Sequence, residues 1–374
     1  MPDDLFPAER LRAAAVATKE QGIDALLITP SADLRYLTGY DAKPTERLTC
    51  LVLPIEGEPT LIVPTLERPL AEQSPAARAG LAIVDHADGT DPYPLVVKAL
   101  GDIVRSGESV GVTGRMWMEH GLALADALPE DLTQCLAAPV MRELRMRKSP
   151  AEVEALAAAG AAIDAVHARM GEWLRPGRTE TQVAADIMTA IREAGHARAD
   201  FAIVASGPNG ASPHHGASDR VIAAGEPVVV DIGGTMPSGY CSDCTRTYVA
   251  GGAAPAEFID YYDVLHRAQL AAVAAIRPGV TCESIDSAAR DIIAGAGFGT
   301  AFLHRTGHGI GLDGHEDPYM VAGNGRRLEA GFAFSVEPGI YLAGRHGARI
   351  EDIVVCTADG VRLLNNRSTE LVYL

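Results

Sequence analysis

Short apolar runs alternate with segments of helical spacing up to about residue 140 of the chain. Leu11 and Thr18 fall on one face of a predicted helix over 10–20, and the apolar run from Ala25 predicts a buried strand. Such alternation is typical of an α/β domain, which we expect over 1–145. Further strands are predicted at 49–53, 60–63, 82–84 and 109–112, and further helices near 66–73, 93–104 and 118–127.

A charged segment followed by a strong helix start marks the end of this first domain. Residues 143–148 read Glu-Leu-Arg-Met-Arg-Lys, which predicts a charged connector. Ser149, Pro150 and Glu152 then suit the N-cap, first and third positions of a helix. We therefore expect a second domain over 146–374.

The second domain repeats its own pattern. Leu174-Arg-Pro-Gly recurs 102 positions later as Ile276-Arg-Pro-Gly, and each copy leads into a helix that begins after a threonine and ends at a glycine. Downstream the offset becomes 106 and matches Asp231 with Glu337. A helix, its cap, a strand and a carboxylate that recur in register predict an internal duplication, with two halves related by a pseudo-two-fold axis.

Four acidic residues occupy matched places in the two halves. Asp231 ends a run of three valines and precedes Asp243 by 12 positions, while Glu337 precedes Glu351 by 14. Buried carboxylates repel one another unless divalent cations compensate them. With His308 they predict a site for two ions of the Mn²⁺, Co²⁺ or Zn²⁺ type, which can share a nucleophilic hydroxide. The alternative, ordinary turn and edge-strand acids, leaves their matched positions unexplained.

Other polar residues near these acids are candidates for contact with a substrate. His214 and His215 follow a loop rich in glycine and proline, and His315 lies in the matching region of the second half. An imidazole there can donate a hydrogen bond to a carbonyl oxygen or pass a proton to a leaving amine. For His215 the alternative is an ordinary surface histidine. Candidates to orient the acids, with simple packing as the alternative, are Arg349, Tyr240 and Thr245.

Composition restricts the classes of partner. The 374 residues carry a net charge of −17, which argues against nucleic acid and against an anionic membrane surface. No apolar run approaches the roughly 18 residues of a membrane span, and we recognise no signal peptide. The six cysteines are scattered, and we interpret Cys241 and Cys244 as small strand residues. We expect a cytoplasmic protein.

Four motifs of the second domain together resemble a known enzyme family. They are Asp-Ile-Gly-Gly-Thr with the later Gly-Tyr-Cys-Ser-Asp-Cys-Thr-Arg-Thr, Thr-Gly-His-Gly-Ile-Gly-Leu-Asp-Gly-His-Glu, Val-Glu-Pro-Gly-Ile-Tyr and Arg-Ile-Glu-Asp-Ile-Val. The chain is similar to the pita-bread metallopeptidases, in the branch of the Xaa-Pro dipeptidases (prolidases) and Xaa-Pro aminopeptidases. The segment that begins Ser31…Tyr36-Leu-Thr-Gly39 resembles the creatinase-type N-terminal domain of that branch.

The resemblance implies a fold, an activity and roles for the candidate residues. It implies an α+β pita-bread catalytic domain after the α/β domain, a homodimer, and hydrolysis of the bond before proline in dipeptides or short peptides. His214, rather than His215, and His315 would contact the substrate, and Glu337 would be the general acid/base. The ions, Mn²⁺ before Co²⁺, Zn²⁺ or Fe²⁺, would be bound by Asp231, Asp243, His308, Glu337 and Glu351.

Two other functions stay open at this point. Creatinase-like hydrolases and some lyases share the fold, although creatinases lack the full ligand set that this chain retains. A non-catalytic peptide-binding relative is the other alternative. The spacing from Asp231 to Asp243 exceeds by one the spacing of many relatives, which affects the hairpin tip at 235–238 and leaves the acids themselves in place.

Overall fold

The computed structural model describes residues 3–101 and 108–374. The chain divides into two compact units, Met1–Arg145 and Met146–Leu374. We propose this division as the domain boundary and describe each unit by itself.

The described part of the first unit contains a mixed six-stranded sheet of order β4-β3-β2-β1-β5-β6. Strand β1 pairs antiparallel with β2 and parallel with β5, so one sheet combines both kinds of ladder. All four residues of β1 are buried, as its uninterrupted apolar run predicts. The strands are β1 Ala25–Ile28, β2 Cys50–Pro54, β3 Thr60–Pro64, β4 Ala82–His86, β5 Ser109–Val112 and β6 Thr133–Leu136.

The helices of this unit agree with the apolar spacing, with one correction. The predicted connector at 143–148 is wrong in part, because Glu143 and Arg145 belong to a helix whose Val140, Met141 and Met146 are buried. The helix predicted at 93–104 is seen to Leu100, and positions 102–104 lie outside the described residues. The helices are Glu9–Glu20, Ala32–Thr38, Arg68–Ala71, Pro75–Arg78, Tyr93–Leu100, Met118–Ala127 and Ala138–Met146, with a 3₁₀ turn at Asp3–Leu5.

The second unit, which is described throughout, combines helices with three sheets of order β17-β9-β8-β7, β11-β10-β12-β15-β16 and β13-β14. Its strands are β7 Arg198–Ser206, β8 Glu226–Thr235, β9 Cys241–Ala250, β10 Gly307–Gly309, β11 Glu316–Met320, β12 Ala333–Val336, β13 Gly339–Leu342, β14 His346–Arg349, β15 Asp352–Thr357, β16 Gly360–Leu363 and β17 Val372–Tyr373. Its helices are Pro150–Ala168, Met170–Trp173, Glu180–Glu193, Ala256–Ala275 and Cys282–Gly295, with 3₁₀ turns at Gly207–Ala211 and Gly299–Ala301.

The predicted duplication is present in the hydrogen bonding of the two halves. Thr179 and Thr281 each cap a helix by accepting the backbone N–H three residues on. Thr179 also forms a β-bridge with Val221, and Thr281 forms one with Arg327, so the sequence offsets of 102 and 106 recur as paired contacts. The capping box predicted at Ser149 is likewise confirmed.

Alternation along the central strands separates an apolar face from a polar face. On β8, Val228 and Val230 pack into an apolar core that also contains Cys244 of β9. Side chains at odd positions of both strands therefore point to the opposite face. The strand β8 runs on to Thr235, so Asp231 lies within it.

No described helix is both long enough and apolar enough to cross a bilayer.

Candidate metal centre

The hairpin β8–β9 places two carboxylates on one face. Asp231 lies opposite Thr245, and Gly233 lies opposite Asp243, so the two acids are diagonal neighbours across the ladder. Both side chains are buried, at 8% and 5% exposure. Their closeness follows from the register of the hairpin and not from their spacing along the chain.

The second half contributes three further side chains, each within a short strand or next to one. Glu337 directly follows β12 and is held by a backbone hydrogen bond of 2.7 Å to Thr306 O. Glu351 lies between β14 and β15, and its N–H donates to Thr245 O at 3.1 Å. His308 is the middle residue of β10. A bond between Glu351 and Thr245 thus joins the two halves at the site.

These residues form overlapping groups whose nitrogen and oxygen atoms lie within 4.8 Å of one another. His308 Nε2 lies 3.2 Å from Glu337 Oε1 and 3.7 Å from Asp243 Oδ2. The other ring nitrogen, Nδ1, is 3.1 Å from Gly309 O and donates to it, which leaves Nε2 as the metal-facing atom. The three groups are Asp231–Asp243–Glu351, His308–Glu337–Glu351 and Asp243–His308–His315.

The electrostatics of the protein alone are unfavourable for ionised acids. Burial, and then the charge of Glu351, raises the pKa of Asp243 well above its usual range. Burial, and then the charge of Glu337, raises the pKa of Glu351 in the same way. Burial lowers the pKa of His308 to about 4, so the neutral imidazole is available as a ligand. Such a cluster is stabilised by cations.

Two buried carboxylate oxygens indicate whether the residues fit metal ions. Asp231 Oδ1 and Glu351 Oε1 are buried, and among residues 3–101 and 108–374 neither has a hydrogen-bond partner. Buried polar atoms are rarely left unsatisfied. Carboxylate oxygens with one imidazole nitrogen are a donor set that suits Mn²⁺, Co²⁺ and Zn²⁺. The residues therefore fit the divalent ions.

A network of hydrogen bonds orients the acids. Arg349 Nη2 donates to Asp231 Oδ2 at 2.6 Å, and its Nε donates to Thr245 Oγ1 at 3.0 Å. Thr245 Oγ1 in turn donates to Glu351 Oε2 at 2.7 Å. The sequence suggests Tyr240 for a similar role, but the structure places the Tyr240 hydroxyl 2.7 Å from Glu152 Oε1, to which it donates.

The candidate histidines lie in different surroundings. His214 and His315 line a cavity of about 600 Å³ together with all five candidate ligands. His315 is exposed, and its ring lies 3.8 Å from that of His308, centroid to centroid. His215 turns away and donates from Nε2 to Glu180 Oε2 at 2.9 Å.

Sequence reasoning missed several residues in the cavity lining or directly beside it. Tyr341 accepts a hydrogen bond from Arg349 Nη1 at 2.8 Å and contacts His304 Nε2 at 2.8 Å. Tyr341 ends the Val-Glu-Pro-Gly-Ile-Tyr motif, which was the available signal. No comparable signal identified Arg305. The remaining lining residues that were missed are Phe201, Ile203, Pro213, His304 and Val321.

Comparison with known proteins gives consistent matches over both units. Residues 154–358 match the model of metallopeptidase family M24, and residues 10–147 match the creatinase/prolidase N-terminal domain. A probable dipeptidase PepE of Mycobacterium tuberculosis is 53% identical over 98% of this chain and 96% of that protein. An Xaa-Pro dipeptidase of Lactobacillus delbrueckii subsp. lactis is 34% identical over 95% and 96%, respectively.

A solved structure agrees with these sequence matches. The crystal structure of dipeptidase PepE from Mycobacterium ulcerans superposes with a TM-score of 0.93 at 54% identity, over 100% of this chain and 99% of that one. The predicted two-domain pita-bread architecture is confirmed, and the family implies divalent metal ions and a peptide substrate. This chain belongs to metallopeptidase family M24 and carries a creatinase/prolidase N-terminal domain.

Proposed function

We propose that this metallopeptidase hydrolyses the peptide bond preceding proline in Xaa-Pro dipeptides or short peptides, with two divalent metal ions. The observation that carries the proposal is the overlap of the ligand groups in one cavity. Asp243, Glu351 and His308 each occur in two of the groups. Only the two carboxylates offer a second oxygen that could be shared between ions, because His308 Nδ1 donates to Gly309 O and leaves Nε2 alone. The ions would be held by Asp231, Asp243, His308, Glu337 and Glu351.

The chemistry of the site divides between the ions and the protein. When bound, two such ions polarise the scissile carbonyl and lower the pKa of water to near neutrality. Glu337, half-buried beside His308, is placed to accept a proton and return it to the leaving amine. His214 and His315 line the same cavity and are placed to donate hydrogen bonds to the substrate carbonyl as it gains negative charge.

The neighbour of His315 defines which nitrogen of its ring can donate. Arg305 Nη2 lies 3.4 Å from His315 Nδ1, and a guanidinium only donates. His315 Nδ1 is then the acceptor, so Nε2 carries the proton in the neutral ring. Although the residue as a whole is exposed, desolvation of its ring beside His308 lowers the pKa of His315 to about 4, so the ring is neutral at physiological pH. An Nε2–H donor suits a substrate carbonyl.

Arg305 also supports a substrate with a free carboxyl terminus. Its guanidinium packs 4.4 Å over the Tyr319 ring and lines the cavity. Within the described residues it forms no ion pair, whereas Arg349, the other cation of the lining, pairs with Asp231. A guanidinium held by its face presents its N–H edge to a carboxylate. The carboxyl group of a dipeptide is such a partner.

Apolar side chains complete the cavity. Phe201 and Ile203 come from β7, and Val321 follows β11. They offer a non-polar wall to a proline ring or to the side chain before it. The Xaa-Pro dipeptidase of Lactobacillus delbrueckii supports this substrate class by similarity. The site favours this function over a creatinase-like or a non-catalytic one, because all five candidate ligands are retained.

Three finer features belong to the same proposal. Mn²⁺ is the proposed metal because carboxylates outnumber imidazoles among the ligands. A homodimer is proposed from the resemblance to prolidases. A cytoplasmic location is proposed because all six cysteines, each of them within the described ranges, are free.

The test is metal-dependent hydrolysis of defined peptides. The protein is stripped with a chelator, and Ala-Pro, Gly-Pro, Ala-Pro-Ala and Ala-Ala are offered before and after Mn²⁺ is returned. We expect cleavage of the Xaa-Pro bond only after Mn²⁺ is returned, and little cleavage of Ala-Ala. No cleavage of any proline-containing peptide would contradict the proposal, and equal cleavage of Ala-Ala would contradict its specificity.

A further inference from the structure

A buried carboxylate outside the candidate metal centre accepts hydrogen bonds from several donors of one loop. Glu180 is the first residue of the helix Glu180–Glu193, directly after its N-cap, and is fully buried. Oε1 accepts from Ser206 N at 2.7 Å, Ser206 Oγ at 2.7 Å and Asn209 Nδ2 at 3.0 Å. Oε2 accepts from His215 Nε2 at 2.9 Å, Ser218 N at 3.1 Å and Ser218 Oγ at 2.7 Å.

These bonds keep the carboxylate ionised. Burial by itself would raise the pKa of Glu180, but the hydrogen bonds from Ser206, Ser218 and His215 outweigh it and lower the pKa to about 2. A charged acceptor forms stronger bonds than a neutral one. Glu180 is therefore a firm anchor for segment 206–218, which we call the anchored loop.

The anchored loop carries a side chain of the proposed catalytic cavity. His214 lines the cavity and is the immediate neighbour of His215, which is bonded to Glu180. From the other side, Arg349 Nη1 donates to Pro213 O at 3.2 Å. The backbone at His214 is thus held between Glu180 and the arginine that also binds Asp231.

The internal duplication allows the position of Glu180 to be compared with its match in the second half. At the offset of 102, Ser206 corresponds to His308, and Glu180 corresponds to Cys282. Cys282 is buried in an apolar core. In the second half the nearby Asp286 is the acceptor, taking hydrogen bonds from Thr306 N at 3.0 Å and Thr306 Oγ1 at 2.8 Å. One half therefore uses the position of Ser206 and His308 for a proposed metal ligand, and the other uses it to donate to Glu180.

We propose that Glu180 is a positioning residue that anchors the loop so that His214 keeps its place in the catalytic cavity. The role rests on the proposed function, since it acts through a histidine assigned to substrate binding there. Misplacement of such a group by about 1 Å can cost about 100-fold in rate.

The test is a double-mutant cycle between Glu180→Gln and His214→Ala in the Mn²⁺-loaded enzyme. We expect Glu180→Gln to lower kcat for Ala-Pro by about 10- to 100-fold, with KM and bound Mn²⁺ nearly unchanged. In the His214→Ala background the same change should lower kcat less than about twofold. Glu193→Gln, an exposed glutamate at the end of the same helix, is the matched control and should leave kcat unchanged.

Several outcomes would decide against the proposal. An equal loss of kcat from Glu180→Gln in both backgrounds, or a loss of bound Mn²⁺, would overturn it. If Glu180→Gln does not fold, Ser218→Ala removes one donor to the same carboxylate, and its effect should likewise vanish without His214. An inactive unmutated enzyme would overturn the proposed function and this role together, whereas an active enzyme without coupling would overturn this role alone.

Discussion

The Arg349 guanidinium donates to Asp231 Oδ2 at 2.6 Å, so an arginine from the second half of the catalytic domain holds a carboxylate of the first half. The same guanidinium donates to Thr245, whose hydroxyl donates to Glu351. One guanidinium group thereby orients acids of both halves. A residue that binds in this fork geometry is not replaceable by another cation.

We expect Arg349→Lys to weaken the metal centre although it preserves the charge. An ammonium cannot bond Asp231, Thr245 and Tyr341 at once, so Mn²⁺ affinity should fall about 10- to 100-fold. Titration calorimetry with Mn²⁺ measures the affinity. Arg327→Lys is the control, because the side chain of this exposed arginine donates to the backbone of Gly279, away from the cavity lining. Unchanged Mn²⁺ affinity in Arg349→Lys would contradict the interpretation.

Asp243→Asn should remove most of the stabilisation that Mn²⁺ gives to the fold. A ligand at about 1,000 times its Kd stabilises a protein by about 4 kcal/mol, and Asp243 is proposed to contact both ions. Calorimetric melting with and without Mn²⁺ measures the shift in Tm. The metal-free variant should melt no lower than the metal-free enzyme, because one repelling charge is gone. The exposed Asp263→Asn is the control, and a full Mn²⁺ shift in Asp243→Asn would refute the assignment.

Arg305→Met should abolish the preference for a free carboxyl terminus. The unmutated enzyme is expected to cleave Ala-Pro faster than Ala-Pro amide, because only the acid can pair with the guanidinium. In the variant, kcat/KM for the acid should fall by about 10- to 100-fold while that for the amide changes little, since a charged hydrogen bond contributes about 1.5–3 kcal/mol. Activity on the amide also reports that the variant is folded. Equal losses on both substrates would exclude carboxylate recognition.

His214→Ala should lower kcat by about 100-fold or more without a loss of bound metal. The side chain lines the cavity but belongs to none of the described groups of candidate ligands. Steady-state kinetics and metal analysis measure the two properties separately. His266→Ala is the control, because that imidazole bonds Thr369 away from the cavity lining. Loss of Mn²⁺ in His214→Ala would show that the residue is a ligand instead.

The acid stability of the protein should depend on Glu180. Its pKa lies near 2 in the fold, below the usual value of 4.5, so its contribution to stability is complete above pH 4.5 and is lost as the pH falls towards 2. Glu180→Gln should therefore lower the free energy of unfolding most near neutral pH, by at most about 3 kcal/mol, and progressively less below pH 4.5. Urea unfolding of both proteins at several pH values measures the difference. A difference that does not shrink in acid would contradict the role of the charge.

Much of the fold was predictable from local pattern. The strand at Ala25 and the capped helix at Ser149 follow from apolar runs and capping residues, which act over a few positions. The helix Ala138–Met146 was missed because its charged residues conceal the buried Val140, Met141 and Met146.

The sequence by itself determined the duplication, the pairing of acids in the two halves and the choice of His308 as the candidate ligand without a matching histidine in the first half. Repeats and motifs can be recognised because they lie in linear order along the chain. Only the tertiary structure decided which partners these side chains meet. It turns His215 to Glu180 while His214 lines the cavity, and it sets Arg349 against Asp231. Such contacts join residues far apart in the chain, and their geometry follows from strand register and loop packing, which no local pattern encodes.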